Sequence, residues 1–148
     1  MKKIIIIAVC LFLIKTNASK AQVTDTLAYL QQIVANKSSY IGKPFSALEN
    51  DLKIQIKNFS PMAGIFTDIT KETSTSIWFI KPVTMADYSA ERLIIYWQPY
   101  LDHKAAMSLF QQNKGVWVSE VDAFYSTGII KDITVLYFSQ TKREFTHN

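Results

Sequence analysis

The sequence predicts an α+β fold: a largely antiparallel sheet of four or five strands, two helices ahead of it, and a helical pair before the last strand. Three observations predict it. Apolar residues recur at helical spacing in two early and two late segments, and the stretch between them alternates or runs β-branched and aromatic. Glycine and proline number four each and lie scattered, so no linker divides the chain. The longest uninterrupted apolar run sits at the very start, outside this pattern.

That start reads as a secretory signal. Lys2 and Lys3 precede the apolar run 4–14, and Ser19-Lys20-Ala21 puts small residues at the −3 and −1 cleavage positions. Residues 1–21 are therefore expected to be a signal peptide, and 22–148 a single α+β domain that is secreted or periplasmic. The run is short of the roughly 20 apolar residues that span a bilayer, so no transmembrane segment is expected after cleavage. The one cysteine, Cys10, falls inside the signal, and Val9 before it does not suit a lipidation box. The mature domain then has no thiol chemistry and no disulfide. Cleavage removes four of the 16 basic residues and no acid, leaving 12 basic against 12 acidic. A formally neutral domain is not expected to bind nucleic acid by neutralising phosphates.

Along the mature chain, Thr24-Asp25 offers cap oxygens to a helix near 25–36, with Leu27, Leu30, Ile33 and Val34 on its apolar stripe. A second, shorter helix follows Gly42 and carries Phe45, Leu48 and Leu52. Pro44 suits its first position, while Ser46 and Glu49 match a capping box that would start it later. Residues 54–59 alternate as a strand, which Ser60-Pro61 should end; 64–70 alternate more weakly, and 71–74 should turn the chain back as a hairpin. The strongest strands are 75–81 and 91–98, each followed by a proline, Pro82 and Pro99. Asp102 can cap a third helix that stops at Asn113-Lys114-Gly115. Ser119 and Asp122 suggest a short fourth carrying Val121, Phe124 and Tyr125, and 129–138 form the last strand. The central strands are apolar at both parities, so either helices cover both sheet faces or an aromatic-rich face stays partly open to a partner.

Catalytic signatures are sparse. The two histidines, His103 and His147, fall at a helix start and at the penultimate residue. Ser139-Gln140-Thr141-Lys142 matches the acyl-enzyme pattern S-x-x-K, but in a polar tail rather than at a helix start. Asp132 interrupts the last strand and reads as an outer-face residue or a bulge. No cofactor or metal is implied: phosphate loops, nucleophile elbows and zinc-binding helices have no counterpart here. What remains is the aromatic set Trp78, Tyr88, Tyr96, Trp97, Tyr100, Trp117 and Tyr137. Most of it serves a disulfide-free core, and Tyr88, Tyr100 and Trp117, beside strand ends, are the candidate binding residues.

The stretch Tyr40-Ile41-Gly42-Lys43-Pro44-Phe45-Ser46-Ala47-Leu48-Glu49-Asn50-Asp51-Leu52 resembles the glycine-then-helix opening of small bacterial envelope domains, as in outer-membrane assembly lipoproteins and the β-lactamase-inhibitor-like fold. The likeness covers about a dozen residues and implies an exported α+β interaction domain. The expectation is thus a non-catalytic binding or protein-interaction module of the bacterial envelope, with an envelope or extracellular protein or a glycan as partner. The alternatives are a small hydrolase using carboxylates and a structural accessory of the envelope.

Overall fold

The computed structural model of the chain describes residues 25–64, 68–81 and 90–137. Helix α1 (Thr26–Ala35) starts where expected, because the Asp25 carboxylate accepts the Ala28 amide at 2.9 Å. A 3₁₀ turn (Lys37–Ser39) leads to α2 (Phe45–Asp51). Neither reading of the α2 start holds in full. Pro44 occupies the cap position, and the free amides of Phe45 and Ser46 are taken by the carbonyls of Gly128 and Ser126 rather than by a capping box.

Strands β1 (Asn58–Met62), β2 (Lys71–Trp78), β3 (Arg92–Asp102) and β4 (Ile130–Leu136) form one antiparallel sheet in the order β1-β2-β3-β4. Helices α3 (His103–Asn113) and α4 (Ser119–Tyr125) lie between β3 and β4 in sequence. The class is α+β, with four strands and the helical pair placed as the pattern required.

Three expectations are corrected. Ser60-Pro61 does not end the first strand: β1 runs through Pro61, which an edge strand tolerates because its nitrogen needs no ladder partner. Pro99 does not end β3, which continues to Asp102. Residues 71–74 are no hairpin turn but the first half of β2, paired with Asp102, Leu101 and Tyr96. Residues 65–67 of the weak 64–70 pattern, Tyr88, the S-x-x-K match and the cleavage region lie outside the described residues.

One sheet face carries Phe59, Ile77, Leu93, Ile95, Trp97, Ile130 and Ile133. It meets Leu30 and Ile33 of α1, Phe45 and Leu48 of α2, Ala106 of α3, and Val121 and Tyr125 of α4 in a single buried cluster. All four helices therefore serve the same face. The opposite face carries Ser74, Ser76, Trp78 and Arg92, all buried, with the Arg92 guanidinium 5.3 Å from the Trp78 ring centre. Both outer edges are partly paired. Gly42 and Lys43 bond to Ile130 of β4, and Gly115 and Trp117 bond to Phe59 and Lys57 beside β1. The second pairing is possible because Lys114 and Gly115 adopt left-handed backbone (φ +53° and +72°), which stops α3 and turns the chain back.

The cap of α3 gives a simple test. Asp102 accepts the Ala105 amide at 3.1 Å, so Asp102→Ala is expected to cost about 1 kcal/mol in a urea unfolding titration.

Candidate functional site

The sheet is regular except at one place, and there it opens. Between the pairs Glu72–Leu101 and Ser74–Tyr96, the four residues Trp97, Gln98, Pro99 and Tyr100 stand opposite Thr73 alone. On the other side of β3, Tyr96 pairs with Asp132 and Trp97 with Ile130, so Lys131 is the extra residue of a bulge in β4. Both irregularities line one open cleft of about 390 Å³, formed by Trp97, Gln98, Pro99, Tyr100 and Lys131. Bulges re-aim side chains that a regular ladder would tie into its own surface. Tyr100 is 44% exposed, and Gln98, Pro99 and Lys131 are exposed as well. The lining holds one cation and no acid. Asp132, beside Lys131 in the chain, is held by Lys37 at 2.6 Å; that bond, with a smaller contribution from the Lys131 charge, keeps its carboxyl below the usual range.

Trp97 links this cleft to the interior. Its ring stacks on Tyr125 at 5.6 Å, and Tyr125 stacks on Trp117 at 5.6 Å. Phe45 meets Trp97 nearly edge-on at 5.9 Å. Gly128 suits this packing, since a Cβ there would lie 3.1 Å from two Trp97 ring carbons and the indole would have to shift by a few tenths of an ångström. The Trp97 indole N–H donates to the Thr75 hydroxyl at 2.9 Å, and Thr75 in turn donates to Glu72 Oε1. Tyr125 donates to the same oxygen at 2.9 Å, while Glu72 Oε2 is buried with no hydrogen-bond partner.

Glu72 is wholly buried. Burial pushes its carboxyl up to about 7, and the bonds from Thr75 and Tyr125, together with the nearby Trp97 indole N–H, favour the charged form and only partly oppose this. Burial and the nearby Glu72 also push the Tyr125 hydroxyl up. Sequence reasoning missed Glu72 by placing it in a turn. Residues Thr73, Ser74, Thr75 and Ser76 are polar at both parities, so only the register break, which sends Glu72 and Thr75 to the same side, could have revealed it.

Of the three candidate binding residues, Tyr100 stands on the cleft and Tyr88 is outside the described residues. Trp117 is placed otherwise. It is half-buried against the core, its ring on Phe45, Phe59 and Tyr125, because its amide is bonded to Lys57 beside β1. His103 opens α3 with its Nδ1 buried. Among the described residues no three His, Cys, Asp or Glu converge on a metal position, and no helix is long and apolar enough to cross a membrane.

Comparison with family models, curated proteins and solved structures finds no match to this chain. The likeness at residues 40–52 therefore stays local. Its glycine, Gly42, does adopt left-handed backbone (φ +78°) ahead of α2.

Proposed function

We propose that the chain is an exported, non-catalytic binding module of the bacterial envelope, secreted or periplasmic, and that the bulged cleft is where it holds a protein partner. The observation that carries this reading is the coincidence of the two register breaks with the cleft. β3 gives up its pairing with β2 at Trp97–Tyr100 and β4 bulges at Lys131, and those residues line the opening. The volume suits a compact group, and the lining fits a ring or aliphatic chain on Pro99 and Tyr100, an amide on Gln98 and a carboxylate on Lys131. A chain terminus ending in an apolar residue has that chemistry. The signal-like start at residues 1–21 and the cysteine-free, formally neutral remainder support the exported setting.

N-acetyl-phenylalanine is the minimal probe of this site, and calorimetry is the readout. Tyr100→Ala is expected to weaken its binding by about 1 kcal/mol or more, roughly fivefold, with the melting temperature unchanged because the ring is exposed. Equal affinity for the variant and the parent would remove Tyr100 from the site.

A carboxylate-dependent hydrolase is the competing reading, and the raised Glu72 carboxyl is the observation that favours it. Glu72 is enclosed, however, and its bonded partners are a threonine and a tyrosine rather than a second carboxylate. The binding reading uses the groups that solvent and a partner reach.

A further inference from the structure

We propose that occupancy of the cleft is linked to a proton on Glu72, with the Trp97 indole as the connecting part. The proposal rests on reading the cleft as the binding site, and adds how that site is regulated. Trp97 lines the cleft although it is only 1% exposed, so its position helps set the shape of the opening from beneath. One chain of hydrogen bonds runs from it to Thr75 and on to Glu72 Oε1. Both donors that reach the carboxyl, from Thr75 and Tyr125, go to Oε1, and Oε2 receives nothing. A neutral carboxylic acid tolerates that arrangement far better than a carboxylate, whose second oxygen would carry half a charge in an apolar bed without a donor.

An ionised Glu72 must therefore recruit a donor, and the Trp97 N–H, one bond away on Thr75, is the donor at hand. Turning it from Thr75 Oγ1 to Glu72 Oε2 tips the indole. The backbone can follow, because Trp97 begins the four-residue break in the β2–β3 ladder and lies at the β3–β4 shift. Its neighbours would then repack, and the cleft with them. The groups acting on the carboxyl are Thr75 on its own strand, Trp97 on β3 and Tyr125 on α4; no charged side chain is among them. Lys71, adjacent on β2, is bound to Asp68 at 2.8 Å. His103 of α3 and Asp122 of α4 are the other titratable groups on the packed helices with a buried unpartnered atom, and neither contributes to the state of Glu72. The described shape is thus the protonated one, and a ligand that fits it binds more tightly in acid.

The test follows the indole N–H resonance of Trp97 in the full mature chain, assigned with Trp97→Phe, across pH 5 to 9. It is paired with calorimetry of N-acetyl-phenylalanine at pH 6 and pH 8. The resonance is expected to titrate with a midpoint near 7, and affinity to be about fivefold higher at pH 6. Both effects are expected to vanish in Glu72→Gln. Tyr125→Phe, which removes a donor that favours the ionised carboxyl, should move the midpoint upward and serves if the glutamine variant does not fold. An indole signal unchanged from pH 5 to 9 overturns the proposal whatever the probe does. Equal probe affinity at the two pH values overturns the linkage while leaving the cleft as a binding site. A titrating indole with no probe binding at either pH sinks the binding reading, and with it the proposed linkage.

Discussion

Folding stability is expected to fall by about 3 kcal/mol as the pH rises from about 4.5 to 7, and to change little above that. The sign follows from Glu72, whose carboxyl is raised to about 7 in the folded protein from an ordinary value of 4.5. Below 4.5 the acid is protonated in both states, and its contribution is fully present. Between 4.5 and 7 the unfolded chain ionises while the folded one keeps its proton, so stability is lost through that window. Above 7 both states are ionised and the loss is complete. The lowered carboxyls do not imitate this: Asp68, held at about 2 by Lys71, and Asp132, held low by Lys37, act at the acid end and with opposite sign. Urea titrations at several pH values should show the slope in the parent and its absence in Glu72→Gln. A parent whose stability is flat from pH 4.5 to 7 would mean that the carboxyl reaches solvent or a cation.

Trp117→Ala is expected to cost about 3 kcal/mol of stability, the low end for a large buried ring because Trp117 is only half-buried. The indole closes one end of the Trp97–Tyr125–Trp117 stack, and Phe59 meets it edge-on at 5.8 Å. Its removal would open a void beside Tyr125, and so beside Glu72. Thermal melts of Trp117→Ala and Tyr100→Ala side by side separate the two aromatics that the sequence placed together at the surface. A large drop is expected for the first and none for the second.

Helices and the central strands were legible because local chemistry dictates them. Asp25 and Asp102 each accept an amide of the first helical turn, and Lys114-Gly115 stops α3 where left-handed backbone is easiest. Ile77, Leu93 and Ile95 alternate into the core as period-two geometry demands. The illegible parts all depend on pairing. Pro61 and Pro99 read as stops, yet one lies on an edge strand and the other in a bulge, where no ladder donor is missed. Lys71 to Ser74 read as a turn because they are polar, but pairing with β3 makes them a strand and turns Glu72 inward. Trp117 looked like a rim residue until the bond from its amide to Lys57 drew it beside β1. The cleft follows the same logic. Tyr100 was visible as an exposed aromatic near a strand end, whereas Lys131 joins it only through a register shift that no local pattern encodes.

The most direct test of the cleft is a map of backbone amide shifts in isotope-labelled protein titrated with N-acetyl-phenylalanine. Saturable shifts concentrated at Trp97, Gln98, Tyr100 and Lys131 are the expected result, since those residues line the opening. Shifts centred instead on the opposite sheet face, around Ser76 and Ile94, or no saturable shift at all, would contradict the assignment of binding to the bulged strands.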